Sequence, residues 1–180
     1  MGRIVSSFFI ALDGVVEAPN EWHFPYFDDA MGRVVGKSMQ GTGAMLMGRR
    51  LYDEWSQYWP QAGEDVPFAS YINTLPKYVL THRPVEEPVW NNTTVLGEDA
   101  VTQVRALKDS GEGDIGLSGC ATTVRWLLSQ GLLDELALLI HPIAVGRGQR
   151  LFEETGTVAL KLMSSTALPT GVLHVRYQPA

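Results

Sequence analysis

The 180-residue sequence is poor in cysteine, in basic charge and in long apolar runs, and each scarcity excludes something. One cysteine, Cys120, rules out an internal disulfide and a thiolate-rich metal site, so a reducing, cytoplasmic compartment is expected and a metal centre is not. Fourteen Lys and Arg stand against 20 Asp and Glu, a formal net charge of -6, which argues against nucleic acid and acidic membrane surfaces as partners. Any arginine cluster therefore requires a local reason. The N-terminal apolar run FFIAL ends at Asp13, and no stretch approaches the ~18 apolar residues of a membrane span. Linkers, repeats and low-complexity segments are lacking too, and a single domain over residues 1–180 is expected.

Three short patterns carry no function. MGRIVS has the outline of a myristoylation site, but Ile4 and Val5 open an apolar strand. Asn91-Asn92-Thr93 matches a glycosylation acceptor, which has no meaning without secretion. GEGDIG, residues 111–116, spells a dinucleotide fingerprint yet precedes a strand instead of following one, and so reads as a turn.

The remaining pattern alternates strands and helices. Ile4–Leu12 is a buried strand closed by Asp13-Gly14. A loop between Pro19 and Pro25 holds Trp22 and His23, and a helix is expected from Phe27 to about Met39. Ala44–Met47 is a short strand feeding a helix whose Leu51, Trp55, Tyr58 and Trp59 share one face up to Pro60. Strands at Lys77–Leu80 and Asn91–Leu96, a helix opened by Glu98 and Asp99, a strand at Asp114–Leu117 and a helix carrying Val124, Leu127 and Leu128 follow. A strand at Leu132–Ile140 and a terminal hairpin around Pro169-Thr170-Gly171 complete an α/β fold with a mixed, mostly parallel sheet.

One feature conflicts with elementary electrostatics. The helix after Gly48 begins with Arg49 and Arg50, although a helix start carries about half a positive charge and favours acids. Either both guanidinium groups turn to solvent, or an anion completes the site. Two further strand ends bear phosphate-binding chemistry: Thr81-His82-Arg83 after Leu80, and Gly119-Cys120-Ala121-Thr122-Thr123 after the strand ending at Leu117. Ligands of open α/β sheets sit beyond the carboxyl ends of strands, where these three loops would form one polyphosphate site.

At these residues the sequence resembles the dihydrofolate reductase-like superfamily, in particular the reductase domain of the riboflavin-biosynthesis deaminase-reductase. The carriers are ALDGVVEAPNEWHFPYFD, LMGRRLYDEW, KYVLTHRP, GLSGCATTVRWLL and GLLDELALLIHPIAVGRGQRLF, in that order. The resemblance implies a three-layer α-β-α domain that binds NADPH through Gly48, Arg49, Arg50 and Leu51. It places Thr81, His82 and Arg83 at the 2′-phosphate, with Arg49 facing them, and Gly119 to Thr123 under the pyrophosphate and nicotinamide. It also implies a homodimer and a hydride transfer to a C=N or C=O bond of a small heterocyclic or sugar-derived substrate, as in 5-amino-6-(5-phosphoribosylamino)uracil reductase.

Departures from the resemblance matter. True dihydrofolate reductases carry a carboxylate just after the WxxP segment, whereas Trp22-His23-Phe24-Pro25 is followed by Tyr26 and Phe27, which speaks against folate as substrate. Asp13 and, second, Asp28 are the candidate proton-handling groups, and Trp22, Phe27, Trp55 and His141 the candidate substrate contacts. The alternative is a non-catalytic NADPH-binding or ligand-sensing module on the same fold.

Overall fold

Alternation of apolar and small residues in Ile4–Ala11 makes β1, with Ile4, Ser6, Phe8 and Ile10 buried on one face and Val5, Ser7 and Phe9 half-buried on the other. The computed structural model describes residues 2–87, 89–111 and 113–180. Glu112, within the GEGDIG turn, and Met1 of MGRIVS lie outside them. In chain order the other strands are β2 (Thr42–Gly48), β3 (Lys77–Leu80), β4 (Thr93–Leu96), β5 (Asp114–Ser118), β6 (Glu135–His141), β7 (Leu160–Ala167) and β8 (Leu173–Pro179). They form one sheet in the order β4-β3-β2-β5-β1-β6-β8-β7. Every pairing from β4 to β6 is parallel, and β8 runs antiparallel to both β6 and β7. This is the mixed, mostly parallel sheet with a terminal hairpin that the sequence predicts.

The helices that connect the parallel strands lie on both faces of the sheet. α1 (Asp29–Gln40), α2 (Arg49–Tyr58) and α3 (Ala69–Thr74) lie over Val5, Ser7 and Phe9. α4 (Ala100–Ser110) and α5 (Ala121–Ser129) bury Val104, Val124 and Leu127 with Ile4 and Phe8. Each such fully buried aliphatic side chain contributes roughly 1.5–3 kcal/mol by leaving water.

Several boundaries differ from expectation for tertiary reasons. β1 stops at Ala11, since Leu12 is 71% exposed and its amide turns to the Ile143 carbonyl. α3 is unanticipated; its six residues are too few for a helical period, and Ala69 and Ile72 alone are buried. Leu132 and Leu133 are core residues, but they precede β6. In β7 the expected apolar face breaks at a register shift between Leu162 and Ser164, which leaves Leu162 and Met163 exposed on an edge strand.

Lys77 opens β3 with no exposed surface at all. Its ammonium donates to the carbonyls of Asn73 (2.9 Å), Leu75 (2.8 Å) and Asn91 (3.3 Å) and sits 4.3 Å from the centre of the Trp90 ring. Burial lowers its pKa from the ordinary lysine value to about 8, while the three carbonyls and the ring keep it charged at neutral pH. The folded state thus binds fewer protons than the unfolded chain between that value and the ordinary one. The Lys77 contribution to stability is expected to rise from pH 8 to 9.5, exceeding the opposite effect of Cys120, whose thiol burial raises to about pKa 11. Urea midpoints should show this rise in the parent and not in Lys77→Met, which should also be about 1–3 kcal/mol less stable for the carbonyls it orphans.

Candidate cofactor cleft and substrate cavity

Because β2 and β5 are neighbours, the helices that follow them begin side by side. The N-cap of α2 is Gly48 and that of α5 is Cys120; neither makes a side-chain cap, so their first-turn amides are free to meet a ligand. The Gly48 amide donates to Cys120 Sγ at 3.3 Å. A Cβ on Gly48 would lie 2.7 Å from Thr123 Oγ1, so only glycine permits this approach. Gly119 precedes with φ +72°, the left-handed region that glycine adopts without strain. Burial raises the Cys120 thiol to about pKa 11, and it is a spacer instead of a nucleophile.

The two helix starts open onto a cleft of about 630 Å³. Gly48, Arg49, Arg50 and Leu51 line one side and Gly119 to Thr123 the other, with Glu17 to Asn20, Leu80 and Gln149 completing the rim. The structure thus brings together nine of the twelve residues expected at the cofactor. Thr81, His82 and Arg83 lie just past Leu80 and do not line the cleft; Thr81 Oγ1 closes a local turn on the Arg83 amide at 3.0 Å. Arg49 touches that turn, donating to the carbonyls of Arg83 (3.4 Å) and Pro84.

The two arginines are not free. Arg49 pairs with Asp53 at 2.6 Å, and Arg50 with Glu54 at 3.3 Å and Glu17 at 3.9 Å. The expectation of unneutralised guanidinium groups is corrected accordingly: acids one turn further along the helix offset the misplaced cations. The Arg50 contacts are weak: exposed pairs of this kind contribute about 0.3–0.5 kcal/mol, against about 1.5–3 kcal/mol for a charge-assisted hydrogen bond to a phosphate. Arg49, its side chain 17% exposed and also bonded to two carbonyls, is held more firmly. Arg50, with a side chain 77% exposed, can turn to an incoming polyanion freely.

On the α1–α3 side of the sheet lies a second, smaller cavity of about 180 Å³. Phe9, Trp55 and Ser118 line both it and the cleft, so the two meet at those side chains. Trp55, one of the candidate substrate contacts, thus lies at this junction. Phe9 and Ser118 were not anticipated from the sequence; the alternation of β1, which places Ser7 and Phe9 on one face, is a signal that marks Phe9, whereas Ser118 joins it only through the pairing of β5 with β1 opposite Ser7.

The other candidates have structural positions. Asp28 caps α1, accepting from the Met31 amide at 2.8 Å. Asp13 accepts from the Gly146 amide at 2.7 Å, and this bond, with other backbone amides, holds its carboxyl below the usual range; it is an ionised tie to the 143–150 loop and lies outside both cavities. Trp22 donates its indole N–H to the Glu17 carbonyl at 3.1 Å and packs edge-on to His141. Phe27 meets His23 edge-on. His141 is fully buried, with Nδ1 2.8 Å from the Leu139 carbonyl. None of these three lines either cavity; with Phe9, His23 and Tyr26 they form an aromatic block beside α1. No group of three or more metal-ligating residues exists among the described residues, and no described helix is long and apolar enough to cross a membrane.

The RibD C-terminal domain family model matches residues 3–174. The chain belongs to this family. The chain is similar to the uncharacterized protein YyaP of Bacillus subtilis, with 27% identity over 97% of this chain and 94% of that one. Its fold is that of a candidate riboflavin biosynthesis protein from Shewanella sp. PV-4 (19% identity, 100% and 99% of the two chains, TM-score 0.76). Dihydrofolate reductase from Enterococcus faecalis, solved with NADP(H), has it too (15% identity, 99% and 96%, TM-score 0.64). The fold is dihydrofolate reductase-like, and the family is that of the riboflavin-biosynthesis reductase domain.

Two measurements probe this geometry. Gly48→Ala should lower stability by about 1–3 kcal/mol through overpacking, and much less in a Thr123→Ala background where the obstructing hydroxyl is gone; denaturant melts of the four proteins would show it. His23 and His141 both have pKa values lowered by burial; the His141 charge lowers that of His23 further, and backbone hydrogen bonds partly oppose the effect at His141. Their contribution is intact above the ordinary histidine pKa, about 6.5, and is lost as pH falls below it, because the unfolded chain takes up protons first. Urea midpoints should drop between pH 7 and 5, and less steeply in His23→Gln.

Proposed function

We propose that this protein is an NADPH-dependent reductase that transfers hydride to a C=N or C=O bond of a small molecule bound in the second cavity. The observation that carries this reading is the junction at Phe9, Trp55 and Ser118, where a cleft suited to a dinucleotide meets a mainly apolar cavity. The paired helix starts, Gly119 and the small side chains of Cys120 and Ala121 fit a pyrophosphate laid against backbone amides. Arg49 and Arg50, released from their acids, would flank it, and Arg83 lies where Arg49 reaches. A 2′-phosphate would meet cations there, whereas an NADH site uses a carboxylate for the ribose hydroxyl.

When bound, NADPH supplies the hydride. The chain's own part is to hold both molecules in register: Phe9 and Trp55 wall the junction, and the Ser118 hydroxyl offers a hydrogen bond to the polarised double bond. With Asp28 occupied as a cap and Asp13 tied to its loop, the proton that completes reduction comes from solvent. That same observation supports the alternative of a binding module without turnover, and consumption of NADPH across a panel of aldehydes, ketones and imines separates the two.

Titration of NADPH and NADH against the fluorescence of the five tryptophans tests the cofactor. NADPH is expected to bind more tightly, and Arg50→Ala to weaken it about tenfold or more with an unchanged melting temperature, since its exposed acid pairs contribute little to stability. Equal affinity for the two nucleotides would remove the 2′-phosphate assignment.

A further inference from the structure

The walls of the second cavity restrict what can be reduced there. A dry apolar cavity of about 150 Å³ accommodates a benzene ring, and this one is about 180 Å³. Val5 and Phe9 of β1, Val34, Val35 and Met39 of α1 and Leu139 of β6 are among its apolar walls. Ser7 and Ser118 bring uncharged hydroxyls, those of Ser38 and Thr42 donate to the carbonyls of Val35 (2.8 Å) and Ser38 (3.2 Å), and Tyr71 and His174 are its titratable members. The Tyr71 hydroxyl is engaged with the carbonyls of Met39 and Thr42. Burial, with Arg176 nearby, disfavours the charged form of His174, while Glu135 opposes this weakly.

The cations around that face are spent or point away. Arg176 grips Glu135 through two bonds of 2.6 and 2.7 Å, Arg3 reaches Asp114 and Glu135, and Arg33 and Lys37 lie exposed on the outer side of α1. A phosphate dianion placed against these walls would lose its hydration with no guanidinium or ammonium in return, at a cost of several kcal/mol.

We propose that the substrate is an uncharged, single-ring-sized compound without phosphate, held by apolar contact and by the Ser7 and Ser118 hydroxyls. A phosphoribosylated pyrimidine exceeds the cavity in both size and charge. This proposal rests on the reductase reading above and sets the chain apart from the phosphoribosyl substrate that the sequence resemblance implies.

The test uses the full chain saturated with NADP+, with 4-fluoroacetophenone as a neutral ring-sized ketone and uridine 5′-monophosphate as a phosphorylated pyrimidine. The fluorine resonance of the ketone should broaden saturably, receive magnetisation from the Trp55 indole, and stay unchanged on addition of the nucleotide. In Val35→Trp, which fills the cavity, ketone affinity should fall at least tenfold while NADP+ affinity holds. Displacement of the ketone by the nucleotide, or NADP+ binding without transfer from Trp55, overturns the proposal. If Val35→Trp does not fold, transfer from Trp55 in the parent decides the matter alone. Failure of NADP+ itself to quench tryptophan fluorescence would instead overturn the reductase reading, a separate and visible outcome.

Discussion

The approach of two helix starts at Gly48 and Thr123 is the constraint on which the site depends. Parallel strands lie about 4.8 Å apart, so helices emerging from neighbouring carboxyl ends crowd one another unless a side chain is missing. Here it is missing at Gly48, where a Cβ would sit 2.7 Å from Thr123 Oγ1. The Gly48 amide is satisfied by Cys120 Sγ, and the remaining first-turn amides of α2 and α5 converge on a single cleft. Two partial positive charges are thereby summed by backbone geometry, with the arginines as additions.

That geometry accounts for the odd charge pattern of α2. Arginines at a helix start cost a little stability, and Asp53 and Glu54 one turn later offset it. At Arg50 the arrangement is exchangeable: exposed contacts worth a few tenths of a kcal/mol hold its guanidinium in place yet do not compete with a phosphate. Arg49 has a second task, since its bonds to the Arg83 and Pro84 carbonyls tether the turn after β3 to the rim of the cleft.

The two ends of β1 serve different purposes. Its middle, Ser7 and Phe9, faces the apolar cavity and the junction with the cleft. Beyond its end, Asp13 and Arg150 tie loops together, and Val15 pairs with Arg150. Trp22, His23, Phe27 and His141 fill the space between these regions as an aromatic block whose rings hold the α1 side of the sheet in place.

The alternation of strands and helices, the terminal hairpin and the loops after β2 and β5 were legible in the sequence, because hydrophobic period and turn chemistry are local properties. So was the anomaly of Arg49 and Arg50, which a dipole argument exposes without coordinates. Only the tertiary structure decided that Asp53, Glu54 and Glu17 neutralise them, that Asp13 and Asp28 serve as ties and caps, and that Trp22, Phe27 and His141 pack among themselves. The cavity under α1 was likewise invisible, since its walls come from β1, α1, α3 and β6, segments far apart along the chain. A sequence specifies which faces are apolar; which faces meet, and what space they leave, depends on how the sheet orders its strands.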